Sequence, residues 1–241
     1  MTDGGTGADV PMTAIVEFKV REETTSVEEW LAEWDHRGLD ALNGEPETSA
    51  YATAVNVEDP LNVVVFEKYT HGAASIKAHM ERPAHAALTE AMGERRMTKR
   101  RMMAARFDDI QQFGWWSRSD ADPTAAGVII VVLGFRFETD AARDTYFELT
   151  AKHAEYCWEH EPDTLIYSAG IAPADGAGEI DVLAGDVVFV MACTDGRAVG
   201  KHANDAEHIA LGEKFAASGI SVEPHFMLTY KTTGNGYLWR S

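Results

Sequence analysis

The chain is poor in the features that mark the commoner function classes. Its two cysteines, Cys157 and Cys193, are not spaced as a metal knuckle or a redox pair, which fits a reducing compartment and makes the cytoplasm the expected location. Long apolar runs are missing: GVIIVVLGF is among the longest and falls far short of a membrane span, so no transmembrane helix is expected. The N-terminal MTDGGTGADVP has no basic segment followed by an apolar one, so no signal peptide is expected there and residues 1–11 are expected to be a disordered lead-in. Positive charge is scarce. With 21 Lys and Arg against 39 Asp and Glu, the formal net charge of −18 repels phosphate backbones and anionic lipid, so nucleic acid and membranes are poor partners. Nor is there a Gly-rich phosphate loop, a serine-nucleophile elbow, a zinc-spaced cluster or a paired-carboxylate motif, and the expectation is chemistry without cofactor or metal, or no chemistry. One cationic run, RRMTKRRMMAAR at 95–106, stands out; it reads either as a solvated helix face or as an entrance that attracts an anionic ligand.

What the chain does have is a repeat. GEPETSAY at 44–51 and HEPDTLIY at 160–167 share Glu-Pro-acid-Thr-x-x-Tyr, and Glu161 stands 116 positions after Glu45 (161 − 45) in a chain of 241 residues. The residue before a proline is pushed out of the α region, so each phrase marks a helix ending and a strand beginning. Upstream lies a helical stripe in each half. In the first, Ser26 and Glu29 form a capping box, and Val27, Trp30, Leu31, Trp34, Gly38, Ala41 and Leu42 recur at three-to-four spacing. In the second, Tyr146, Phe147, Thr150, Ala154, Cys157 and Trp158 repeat that stripe.

Flanking elements also match. Strands are expected at TAIVEFKV and GVIIVVLGFRF before the helices, at SAYATAVNV and LIYSAGI after the phrases, and at NVVVFEKY and DVVFVMAC beyond a turn. A second helix follows in each half, carrying His79 and His85 in one and His202 and His208 in the other; a last strand is expected near 106–116 and near 220–230. Six helical residues span about 600°, and Pro83 interrupts the first of these helices, so the two histidines of each pair are not expected to share a face or to form a chelating pair. The order strand, helix, strand, strand, helix, strand is the ferredoxin-like α+β unit. Because VVVF, VIIVV and VVFVM are apolar in both phases, something must cover the second sheet face. The fold expected is thus α+β, with two βαββαβ repeats packed sheet to sheet about an internal pseudo-twofold axis and the helices outside. The boundaries are 12–117 and 127–232, with a linker at 118–126 and a tail at 233–241.

AIVEFKV, GEPETSAY, VVVFEKY, AASIKAH and PAH together resemble the antibiotic biosynthesis monooxygenase family, and the second half resembles it through GVIIVVLGFRF, HEPDTLIY and the His202/His208 pair. The resemblance implies a dimeric α+β barrel, built here within one chain. It also implies a range of activities: cofactor-free oxidation of quinols or polyketides, haem degradation, or isomerisation of small carbonyl compounds. The haem-degrading branch carries an Asn on the first strand and a Trp late in the third; TAIVEFKV has no Asn and the third strand ends in Tyr69, which argues against haem.

The resemblance places His79 near a pocket between helices and sheet. A histidine there takes a phenolic or enolic proton, the step that lets an anion pass an electron to O2, or else it is a core-edge residue satisfied by a carbonyl. Glu67 shares strand phase with Val63, Val65 and Tyr69. It is either a carboxylate buried beside a phenol, with a raised pKa, or a strand-end charge paired with a lysine. Met191 and Cys193 occupy the matching positions of the second half, which is therefore expected to be mainly a structural copy. Trp30, Trp34, Tyr51, Trp115 and Trp116 are candidates for an aromatic lining, or plain core. Cys157 lies among His153, Tyr156 and His160, as a nucleophile or an inert buried thiol.

The leading expectation is a cofactor-independent monooxygenase that oxidises a small aromatic or polyketide-like phenol or quinol with O2. His79 assists deprotonation, Glu67 and Tyr69 hold the substrate, and the aromatic residues shape the pocket. The alternatives are an isomerase or cyclase on the same scaffold, or a non-catalytic barrel for a small hydrophobic ligand. Further pairing into a homodimer of the two-repeat chain is left open.

Overall fold

The computed structural model describes residues 10–118 and 120–240, so residues 1–9 of the expected lead-in lie outside it. The first half runs β1 (Met12–Val20), α1 (Val27–Gly44), β2 (Thr48–Asn56), β3 (Asn62–Tyr69), α2 (Gly72–Met80), α3 (Pro83–Glu94) and β4 (Thr98–Asp109). The second runs β5 (Ile129–Phe135), α4 (Asp140–His160), β6 (Thr164–Ile171), the two-residue β7 (Ala177–Gly178), β8 (Val187–Cys193), α5 (Gly196–Ala203), α6 (Ala206–Ser218) and β9 (Phe226–Tyr237). Both halves are ferredoxin-like, as the strand order required. Among the described residues no helix is long and apolar enough to cross a membrane.

The capping box forms: the Ser26 side chain accepts from the Glu29 amide at 3.2 Å, and the Glu29 carboxylate accepts from the Ser26 amide at 3.0 Å. Along α1 the predicted stripe is buried except at its ends, where Leu42 reaches solvent; on α4, Trp158 does the same. The single second helix expected in each half is broken. Arg82 takes extended dihedrals before Pro83, and Asp205 does so while its carboxylate caps α6, accepting from the Glu207 amide at 2.8 Å.

All strands join one antiparallel sheet ordered β1-β3-β2-β9-β5-β8-β6-β4-β7, and β4 also pairs with β1, which closes the sheet into a barrel. Two seams join the halves: β2 with β9, and β4 with β6 and β7. The second sheet face is thus covered by the other half, and closure also removes the open edges. Alternate residues face the barrel interior, where Ile15, Val64, Phe66, Ile130, Val190 and Tyr230 pack together. The opposite phase, with Val63 and Val65 in one half and Tyr167 and Phe189 in the other, packs under the helices against residues such as Trp30, Trp34 and Tyr146. That is why these strands are apolar in both phases. At the β2–β9 seam the bulge between Ala52 and Ala54 brings Gly236 (φ 79) so close that a Cβ there would lie 1.9 Å from the Tyr51 carbonyl oxygen.

Three segments differ from the sequence reading. The cationic run at 95–106 is no helix face: after a turn with Arg96 at φ 52, it becomes β4, because Met103, Ala105 and Phe107 alternate into the barrel interior. The strand expected near 106–116 ends at Asp109, and the one near 220–230 begins at Phe226 and runs to Tyr237, past the expected boundary at 232. Nor are 118–126 and 233–241 only linker and tail. Arg118 donates to the carbonyls of Cys157 and Glu161, both at 3.1 Å, where α4 ends. Arg240 donates to those of Ala41 at 2.8 Å and Glu45 at 2.6 Å, where α1 ends. The same side chains reach the carbonyls of Trp158 at 3.1 Å and Leu42 at 2.9 Å, which Pro162 and Pro46 leave without an intrahelical donor, so each arginine satisfies an orphan carbonyl at the end of a long helix.

Candidate active site and its second-half counterpart

Between the first-half helices and the sheet lies a cavity of about 660 Å3, a size suited to a small organic ligand. Phe18, Trp34 and Met92 wall it, His79, Glu67 and Tyr69 supply polar groups, and Pro173 and Asp175 reach it from the second half. The cavity is thus shared across the pseudo-dimer interface.

His79, in the last turn of α2, is 2% exposed. Its Nδ1 lies 2.7 Å from both Glu45 Oε2 and Arg37 Nη2. One nitrogen cannot serve both, since a carboxylate only accepts and a guanidinium only donates. Arg37 has other acceptors: its Nη2 donates to the His79 carbonyl at 3.1 Å and lies 2.6 Å from Glu45 Oε1, and its Nη1 donates to Asp40 at 3.0 Å. The arrangement therefore assigns the Nδ1 proton to the Glu45 bond and leaves the lone pair on Nε2. That atom is buried, has no hydrogen-bond partner, and stands 3.9 Å from Glu67 Oε1. Tyr69 donates to Glu67 Oε2 at 2.7 Å. Burial, with the Glu67 charge adding to it, holds the Tyr69 phenol well above the usual range, so it is a donor and not a phenolate.

Glu45 explains the repeated phrase. Although burial opposes its ionisation, the hydrogen bonds from His79 and Thr48, together with Arg37, bring it down to about 2, so it is a carboxylate at neutral pH. Thr48 donates to it at 2.7 Å, and in the second copy Thr164 donates to Glu161 at 2.9 Å. Glu161 in turn bonds His202 Nδ1 at 2.8 Å. Each Glu-Pro-acid-Thr phrase ends a helix with a carboxylate, ties it to its own threonine, and aims it at the histidine of the next helical layer. From sequence the phrase read only as a helix stop. The signal for more was present, since glutamate and histidine recur together.

Of the five aromatic residues expected to line the cavity, only Trp34 does so. Trp30 lies behind it, stacked at 5.0 Å between ring centroids, with its indole N–H donating to Thr98 Oγ1 at 3.3 Å. Tyr51 forms a fully buried layer between Trp34 and His79, 6.5 and 5.7 Å from their rings. Trp115 and Trp116 belong elsewhere. Beyond β4 the chain has crossed to the other half, where Trp115 bridges to Tyr167 and stacks on it at 5.5 Å. Trp116 packs on the barrel core and donates to the Leu238 carbonyl at 2.7 Å.

His85 also departs from expectation. The break before Pro83 folds α3 back, so the His79 and His85 rings sit 5.5 Å apart and both face the cavity. Burial and the nearby His79 and Arg37 hold His85 below the ordinary histidine range. Arg101 and Arg106, from the cationic run, border the same cavity.

The second half has its own cavity of about 510 Å3, walled by residues such as Leu133, Phe189, Met191 and Phe215 and reached by His202 and His208. The half expected to be mainly a structural copy thus keeps a cavity between its helices and sheet. Met191 pairs opposite Tyr167 as Glu67 pairs opposite Tyr51, so the loss of the carboxylate is real. Cys157 is buried and its thiol is pushed far up by burial and by Glu161, which removes it as a nucleophile.

No protein-family model matches the sequence, and no curated protein matches it. Solved structures do match the fold. A presumed monooxygenase of Lactobacillus acidophilus aligns over 97% of this chain and 100% of its own, with a TM-score of 0.68 at 9% identity. Another presumed monooxygenase, from Fusobacterium nucleatum, aligns over 93% of this chain and 92% of its own, with a TM-score of 0.70 at 10% identity. An anthrone oxidase-like protein aligns over 95% and 94%, with a TM-score of 0.55 at 13% identity. At these identities the likeness is one of fold, and it spans both repeats.

Proposed function

We propose that the first-half cavity is the active site of a cofactor-independent monooxygenase acting on a small aromatic phenol, quinol or anthrone. The observation that carries this reading is the His79 Nε2, buried and unpartnered on a residue that lines the cavity, with its tautomer set by an ionised Glu45. Such a group accepts a proton from a weakly acidic substrate, and the Glu45 carboxylate stabilises the imidazolium that forms. Tyr69 and Glu67 offer a donor and an acceptor to substrate oxygens, and Trp34 offers a flat face. The delocalised anion gives an electron to O2, and recombination forms a peroxide at carbon. Loss of water then leaves a carbonyl, so a CH2 group and O2 yield C=O and H2O with the substrate supplying all four electrons. The fold likeness to an anthrone oxidase-like protein and to two presumed monooxygenases supports the reading.

The test is oxygen uptake with anthrone and with substituted hydroquinones. His79→Gln is expected to lower uptake by about 10²- to 10⁴-fold, the usual contribution of a positioned base. Unchanged uptake removes His79 from the reaction, and product formation under argon replaces oxygenation with isomerisation or cyclisation.

A further inference from the structure

We propose that the second half holds a divalent first-row transition-metal ion on His153, His202 and His208. This site is separate from the first cavity and does not depend on its reading. One ring nitrogen from each of the three histidines lies within 4.8 Å of the others. The rings make a compact triangle, with centroids 5.4 Å apart for His153 and His202, 5.4 Å for His153 and His208, and 4.5 Å for His202 and His208. Nitrogens about 2.1 Å from a tetrahedral ion stand about 3.4 Å apart, so the rings close on the metal by about 1.4 Å or less, within reach of small side-chain rotations.

Three elements supply the set, which is why sequence spacing hid it. His153 comes from α4, His202 from the last turn of α5 and His208 from the first turn of α6; the bend at Asn204 and Asp205 brings the last two together. The first half shows what changed. Counting back 116 positions, His153 falls on Arg37 and Cys157 on Ala41. In the first half a buried guanidinium fills this place and pairs with Glu45. In the second, the fixed cation is replaced by a third imidazole, while the carboxylate, Glu161, is kept. A carboxylate with no guanidinium before it and three imidazoles beside it suits a cation from solution.

The surroundings fit a metal in other respects. Glu161 holds His202 through Nδ1, the carboxylate–histidine arrangement that fixes a ligand ring and leaves Nε2 with its lone pair. His208 Nδ1 is buried and has no hydrogen-bond partner. Imidazole nitrogens favour zinc, cobalt, nickel or copper over magnesium or calcium. His202 and His208 also line the second cavity, so the ion would sit at the wall of an apolar chamber with an open position toward it.

The experiment is a Co2+ titration of the metal-stripped full chain followed by visible absorption, with Zn2+ as competitor. The expected result is one Co2+ per chain, with the strong bands of a four- or five-coordinate ion that Zn2+ abolishes. His153→Arg, which restores the first-half arrangement, and His208→Ala, on a partly exposed turn, are each expected to eliminate the bands while far-UV circular dichroism stays native. Glu161→Gln is expected to weaken affinity about 10- to 100-fold with the bands retained. A pale six-coordinate spectrum in the wild-type chain, or bands that persist in both histidine variants, overturns the site.

Discussion

Glu17 offers a sharp test of the barrel interior. It lies on β1 opposite Val64 and Met103, both interior residues, and is completely buried. Burial pushes its carboxyl up to about 7 against the pull of Asn56 and of the nearby Tyr230 hydroxyl. The folded protein therefore holds this proton more tightly than the unfolded chain, where the group ionises near 4.5. Stability then falls as pH rises from about 4.5 to about 7, and the whole penalty is present above 7. With roughly 1.4 kcal/mol per pKa unit, the penalty is about 0.8 kcal/mol at pH 5 and about 3.4 kcal/mol at pH 8.5. Glu17→Gln keeps the shape and an acceptor for Asn56 but cannot ionise. Its stability relative to the parent is expected to improve by about 2.5 kcal/mol between those two pH values. Urea unfolding of both proteins at pH 5, 6, 7 and 8.5 measures this, and all other titrations cancel in the difference. A difference that stays flat with pH, or grows toward acid, refutes a neutral Glu17 in a dry interior.

Two further outcomes follow from the packing. Glu45→Ala strips the buried Arg37 of its closest counter-ion and is expected to cost about 3–5 kcal/mol in denaturant unfolding, most of it recovered in Arg37→Met/Glu45→Leu, where neither charge remains. Gly236→Ala, forced to a φ of 79 against the Tyr51 carbonyl, is expected to lower stability by about 1–3 kcal/mol or more, whereas an alanine at Gly93, where nothing lies within 4 Å of the new Cβ, is expected to be neutral or stabilising.

The candidate site was legible in part. His79, Glu67 and Tyr69 do meet at one cavity, because strand phase is read directly from a two-residue period and Glu67 and Tyr69 share it. Arg37 was invisible, since an arginine on a helix stripe reads as solvent-facing until a carboxylate from the helix end is seen against it. The histidine pairs were separated by helical geometry that the chain does not keep: Pro83 in one half and the Asp205 cap in the other turn about 600° of imagined helix into a bend. Trp115 packs in the other half and Trp116 on the barrel core, and neither place was legible, because nothing local shows that the chain crosses a seam beyond the end of its strand.

The sequence alone determined the elements and their duplication, because caps, prolines and side-chain periods act over a few residues and recur in step. It also required that both sheet faces be covered. Only the tertiary structure decided how: β4 and β9, each paired within its own half with β1 and β5, also pair with β6 and β2 of the other half to close the barrel, and Arg118 and Arg240 cap the opposite helices. Contacts between residues more than a hundred positions apart depend on which strand edges meet, and no local pattern encodes that choice.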